Sequence, residues 1–309
     1  MNNIIDKIKA NLVIQEQWDK NSFWASDCEK DQFELYHRFK GTEITNPPKA
    51  ETQIIFTTGK LVELAIVERL EEMNLIEPPF FKEDKKDDEL QTRIDIVRCG
   101  IKVSGKLDAM VRDNGEVVVF EIKSFYGVMQ ANELRNGNPR VTYLKQLAIY
   151  MDALDKERGI LFYIDRGTGE MFQFTLEHIE GYIYSCTSFD KNGFEVITQF
   201  DLLKDYERFG TIYNQYVAKD IEPDSSFRYK VPLDKIDWRS LPASKIGKAR
   251  NNQAVIGDWQ VLYSPFKDMI VTKEAKEYGK TMKEYLGYDS KDLAIIAEAT
   301  KGYTTWKKK

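Results

Sequence analysis

The spacing of apolar residues changes along this chain, and each change marks an element. Over residues 58–74 (TGKLVELAIVERLEEMN), Leu61, Leu64 and Ala65 recur at helical spacing, with Val62 and Ile66 on a neighbouring stripe. That pattern predicts a largely buried helix. The proline- and charge-rich PPFFKEDKKDDEL that follows reads as a loop. Residues 93–99 and 101–111 alternate like strands, and Asp113-Asn114-Gly115 is a hairpin-turn signal. The run EVVVFEIKS at 116–124 is β-branched and nearly continuous, as in a central strand. Residues 142–154 predict a helix, and 159–165 and 171–176 two strands around a turn at 166–169. Further helices are expected at 201–219, 273–286 and 291–300, with a loop-rich, proline-containing stretch at 220–250. The predicted organisation has three parts. A helical region (1–90) precedes an α/β core (91–180) with a mixed β-sheet flanked by helices. A helical and loop-rich region (181–309) then packs back on the N-terminal segment.

Within the core, three polar residues interrupt apolar strands. Glu121 and Lys123 are two apart in Glu121-Ile122-Lys123, so strand geometry puts them on one face with Ile122 opposite. The hairpin can bring Asp108, near the end of the preceding strand, alongside them. A half-buried Glu and Lys in such a strand cost free energy unless paired. Two carboxylates facing one point suit a hard divalent cation, and a neighbouring lysine suits stabilisation of developing charge. A bare Glu-x-Lys is also an ordinary same-face pair on many surface hairpins. Gln146 and Tyr150, at i and i+4, share a helix face, which equally describes a half-buried amphipathic helix. Glu63 interrupts the apolar stripe of its helix, as a third carboxylate or as a partner of Lys60 or Arg69.

Taken together, Gly105-Lys106-Leu107-Asp108, Glu121-Ile122-Lys123 and Gln146-Leu147-Ala148-Ile149-Tyr150 resemble the GxxD, ExK and QxxxY motifs of the PD-(D/E)XK nuclease superfamily, in its order. The likeness is to the RecB-like exonucleases, including those associated with CRISPR adaptation. Gly59-Lys60-Leu61-Val62-Glu63 is similar to that family's upstream glycine-plus-acid helix. The resemblance implies a restriction-endonuclease-like fold and a metal-dependent DNA nuclease, an exonuclease ahead of an endonuclease. It implies catalytic Asp108, Glu121, Lys123 and Glu63. Mg²⁺ or Mn²⁺ would be held at Asp108, Glu121, Ile122 and Glu63, and substrate would meet Gln146, Tyr150 and Lys145. The alternatives are a non-catalytic nucleic-acid-binding or assembly protein on the same fold, and a structure-specific endonuclease.

The resemblance extends to ASDCEKDQFELYHRFKG at 25–41 and DWQVLYSPFKDMI at 258–270, segments that carry four iron–sulfur cysteines in the family. Here only Cys28 remains; Val261, Ser264 and Ile270 stand at the other positions. One thiolate cannot hold a cubane cluster, so no iron–sulfur cluster is expected.

Composition adds limits. With 45 Lys+Arg against 50 Asp+Glu, the net charge of −5 argues against polyanion binding by bulk charge. DNA contacts would have to come from clusters, with Arg135/Arg140/Lys145, Lys245/Lys248/Arg250 and Lys307–Lys309 as candidates. Three scattered cysteines and two histidines exclude a disulfide framework or a histidine-rich metal site. No apolar run is long enough to span a membrane and no signal-peptide core is visible, so a cytoplasmic protein is expected. No P-loop is present; unwinding of DNA would need a helicase partner, and a recombinase or other DNA-processing protein is a further candidate.

Overall fold

The computed structural model describes residues 4–5, 12, 21–77 and 92–302. The charged loop after residue 77 and the Lys307–Lys309 cluster lie outside the described residues. The chain divides into two units. Among the described residues, one comprises 4–5, 12, 21–30 and 50–221, the other 31–49 and 222–302.

In the first unit, β1 (Phe23–Trp24), β2 (Thr92–Arg98) and β3 (Ile101–Leu107) form a sheet in the order β1-β3-β2. A six-stranded sheet contains β4 (Ala109–Asp113), β5 (Glu116–Phe125), β6 (Arg158–Asp165), β7 (Met171–Glu180), β8 (Ile183–Phe189) and β9 (Glu195–Asp201), in that order. Within this sheet, among the described residues, β5 and β6 are the one parallel pair. Their crossover carries the helices Val128–Arg135 and Val141–Leu154, because parallel neighbours cannot be joined by a tight turn. This is the expected mixed sheet flanked by helices, the arrangement of a restriction-endonuclease-like core. The β4–β5 turn places Asn114 at φ 51° and Gly115 at φ 88°, the two positive angles that a two-residue hairpin favours.

β3 and β4 are one run of chain broken at Asp108. Leu107 is the last residue paired with β2 and Ala109 the first paired with β5. Asp108 is therefore not inside a hairpin strand as the alternation suggests; it sits where the chain changes sheets. The change leaves the Ile122 N–H beyond the β4–β5 ladder, and Asp108 Oδ2 accepts it at 2.7 Å.

Two further expectations are corrected. The region after 180 is not helical at first, because β8 and β9 extend the sheet to Asp201. In β8 the alternation is masked by hydroxyl residues: Ser185 and Thr187 alternate with the buried Tyr184 and Cys186. The predicted 201–219 helix is Leu203–Ile212 continued by a π-helical turn, Tyr213–Val217. The helix containing Glu63 runs Ala50–Glu72 and is mostly exposed, not buried. It is apolar on several stripes, but one stripe alone meets the sheet: Ile66, Val67 and Leu70 pack with Val111, Val118, Phe120 and Ile122. Ile54, Ile55, Phe56 and Leu61 remain exposed.

The second unit packs the helices Gln32–Phe39, Ala243–Arg250, Trp259–Tyr263, Lys267–Glu277, Met282–Tyr285 and Ser290–Ala299. Phe33, Val261, Phe266, Ile270 and Tyr285 lie in its core. The helix predicted over 273–286 is interrupted. Gly279 takes φ 63°, and Thr281 restarts the chain with a capping box to Glu284.

Candidate active site

Strand periodicity carries Glu121 and Lys123 on the face of β5 opposite the apolar cluster that Ile122 joins. Glu121 is 1% exposed. Its Oε1 accepts from Lys123 Nζ at 2.5 Å and from Gln146 Nε2 at 2.8 Å. Its Oε2 is buried with no hydrogen-bond partner among the described residues. Lys123 Nζ also lies 5.1 Å from the centre of the Tyr143 ring, an attraction of cation to π-face.

Gln146 and Tyr150 fall on the inward face of the helix Val141–Leu154, and Gln146 Nε2 also reaches the Tyr150 hydroxyl at 3.0 Å. That hydroxyl donates to the Lys106 carbonyl at 2.9 Å. The Tyr150 ring lies against Gly105, where a Cβ would stand 2.6 Å from the ring carbon Cε1. Glycine is thus required at the start of the Gly105–Asp108 segment because a tyrosine fills the space. A continuous chain of contacts runs from Gly105 through Tyr150 and Gln146 to Glu121.

Glu63 reaches the same centre from the exposed helix. Gly59, one turn earlier, lets that helix approach β5: a Cβ there would meet Ser124 Oγ at 3.3 Å. Burial first, then the Asp108 charge, pushes the Glu63 carboxyl up to about 7, while Lys123 and Lys60 oppose. Arg69, its other candidate partner, pairs with Glu72. Glu121 is pushed up to about 8, by burial and then Asp108, with Lys123 opposing. Lys123 is held well above the usual lysine range: burial opposes its charge, but Glu121 and Asp108 outweigh that. One ammonium therefore acts on three carboxylates, and the Asp108 charge raises both of the others. This local excess of negative charge and the unpartnered Glu121 oxygen fit a divalent cation. Among the described residues no three acidic, His or Cys side chains stand close enough to form a ready-made cage. The fit is to a site using one or two carboxylates. Ile122, fully buried in the apolar cluster, can contribute only its main chain.

The remaining expected residues divide. Lys145 is engaged by Glu29 Oε1 at 3.3 Å and Asp205 Oδ2 at 3.2 Å. Tyr150, 2% exposed, supports Gln146 from within. Of the Arg135/Arg140/Lys145 cluster, Arg135 is paired with Glu170. Arg140 is exposed, hydrogen-bonds Gln130 Oε1 at 2.9 Å, and has no carboxylate partner among the described residues. Its guanidinium lies 5.8 Å from the Tyr143 ring. Sequence reasoning missed Tyr143, although three residues before Gln146 is the same helix face. Cys28 is buried, and burial pushes its thiol far up. Val261 and Ile270 are buried in the apolar core of the second unit.

The fold and site define a mixed α/β protein with a buried carboxylate–lysine centre at the break between two sheets. No protein-family model and no curated protein matches the sequence. Among solved structures, SSO0001 is similar at TM-score 0.41 and 16% identity, covering 70% of this chain and 88% of that one. An alkaline exonuclease (LHK-Exo) from Laribacter hongkongensis is similar at TM-score 0.34 and 14% identity, covering 70% and 94%. Its complex with dAMP gives TM-score 0.33, 14% identity and the same coverage. Likenesses this distant say nothing about activity, which has to be read from the site.

Proposed function

We propose that this chain is a Mg²⁺- or Mn²⁺-dependent nuclease that hydrolyses phosphodiester bonds of DNA at free ends. The observation that carries the reading is Glu121: a buried carboxylate with one oxygen unpartnered, beside Asp108, Glu63 and a charged lysine. Such an arrangement weakens a fold unless a ligand completes it. The order of the GxxD, ExK and QxxxY motifs supports the same reading.

In this reading Asp108, Glu121 and the Ile122 main chain hold the cation, and Glu63 adds negative charge beside it. The cation, when bound, polarises a phosphoryl oxygen and lowers the pKa of bound water. Lys123 keeps its proton at Nζ and places positive charge where the transition state gathers negative charge. Tyr143 backs that ammonium. Gln146 fixes the Glu121 carboxylate, and Tyr150 fixes Gln146. Arg140, not Lys145, is the cation of its cluster left to meet a phosphate.

The test is digestion of end-labelled linear, circular and single-stranded DNA with Mg²⁺, Mn²⁺ or EDTA. Metal-dependent loss of linear DNA with circles spared is expected. Cleaved circles would make the enzyme an endonuclease. No cleavage with either metal would leave a binding protein on this fold.

A further inference from the structure

The two edges of the six-stranded sheet are treated differently. At β4 the edge is covered: Glu77 N–H donates to the Met110 carbonyl at 2.9 Å and Arg112 N–H to the Leu75 carbonyl at 2.8 Å. At β9 the edge is open among the described residues, since its one neighbour is β8.

The pairing with β8 shows which groups face outward. Asp190 N–H donates to the Phe194 carbonyl, and Leu202 N–H to that of Tyr182. The register between these bonds pairs Ser188 with Val196, Cys186 with Thr198 and Tyr184 with Phe200. In an antiparallel ladder, alternate residues exchange both bonds with one neighbour and the rest turn theirs away. Glu195, Ile197, Gln199 and Asp201 therefore present N–H and C=O to the open side. The strand has no proline, lysine or arginine, the residues that commonly blunt an edge. Phe194 and Ile197 are 71% and 58% exposed.

The sequence across this edge is nearly a palindrome, Phe194-Glu195-Val196-Ile197-Thr198-Gln199-Phe200. We propose that β9 pairs antiparallel with β9 of a second copy about a two-fold axis at Ile197, joining the two sheets into one. In that register Ile197 faces its own copy, and Glu195 faces Gln199 of the partner subunit. All three pairs use outward backbone groups. Val196 faces Thr198 of the partner subunit, a β-branched pair. Phe194 comes opposite Phe200 of the partner subunit, so an exposed ring gains an aromatic neighbour. Phe200 is itself stacked on Tyr184, with centroids 6.0 Å apart. Glu195 faces a neutral amide, not another acid, so the charge pattern accepts a second copy. A two-fold pairing centred on Thr198 would set Glu195 against Asp201 and is disfavoured.

Sedimentation velocity on the full chain at micromolar concentrations tests this, independently of nuclease activity. A dimer is expected. Gln199→Glu sets two acids opposite each other at two symmetric places and should raise the dissociation constant about tenfold. Gln199→Lys supplies an opposite charge and should lower it. Ile197→Pro removes an outward N–H, spares the β8 ladder, and should give a monomer with near-wild-type melting. If that variant fails to fold, the two Gln199 variants, changed at an exposed position, decide alone. A wild-type monomer throughout the range, or a dimer indifferent to both Gln199 changes, would overturn the proposal.

Discussion

At the scale of single residues, the centre concentrates charge where the fold would otherwise place apolar side chains. Asp108→Asn and Glu121→Gln keep the shapes of the two carboxylates. Both variants should melt within a few degrees of wild type, lose cleavage, and lose the rise in Tm that Mn²⁺ gives the parent. Thermal shift with and without metal, run beside a cleavage assay, measures all three. Near-normal turnover in either variant at saturating metal would remove that residue from the site. Lys123→Ala should lower turnover by about 100-fold or more, the range for a lost electrostatic or acid–base group. Metal affinity measured by calorimetry should change little; a large loss would make Lys123 a structural partner of Glu121 instead.

At the scale of elements, the helix Val141–Leu154 and the Gly105–Asp108 segment act through one contact. Gly105→Ala would set a methyl group 2.6 Å from the Tyr150 ring, an overpacking that typically costs about 1–3 kcal/mol. Because the ring carries the hydroxyl that holds Gln146, the variant should lose activity as well as stability. Adding Tyr150→Leu should restore part of the stability in urea unfolding but none of the rate. Full recovery of both would show that Tyr150 merely fills space. This coupling also shows how far the sequence could be read. Strand and helix periods put Glu121 with Lys123 and Gln146 with Tyr150 on shared faces, and the motif order set Asp108 beside them. The break at Asp108 was not legible: strand alternation continues through it, and only the pairing partners change. Neither was the exposure of the Glu63 helix, whose apolar stripes exceed what one sheet face can cover. β8 was hidden because Ser185 and Thr187 alternate with its inward Tyr184 and Cys186. Tyr143 could have been found from helix spacing alone.

At the scale of the whole molecule, each unit carries its own liability. In the second, Lys230 is 7% exposed. Its Nζ donates to the Gly287 carbonyl at 2.6 Å and lies 4.0 Å from the Tyr288 ring centre. Burial, then Lys280, pulls its amine down to about 8, against Asp292 and Asp289. The unfolded chain binds that proton more tightly than the folded one between about 8 and about 10.5, so this group makes stability rise with pH across that window. The urea midpoint of wild type should rise relative to that of Lys230→Met as pH goes from about 8 to about 10, and tyrosine titration, common to both chains, cancels in the difference. A constant difference would mean the amine is not perturbed. Chain order has another consequence. The second unit takes residues 31–49 from before the sheet and 222 onward from after it, and Phe33 shares a core with Val261 and Ile270. During synthesis, at about 5–20 residues per second, the helix Gln32–Phe39 leaves the ribosome long before its packing partners exist. Every strand of the two sheets except β1 is made in that interval. Once residue 221 has cleared the ribosome, the chain would thus present a formed sheet unit together with a sticky, unpartnered Phe33 helix, a state suited to capture by a chaperone.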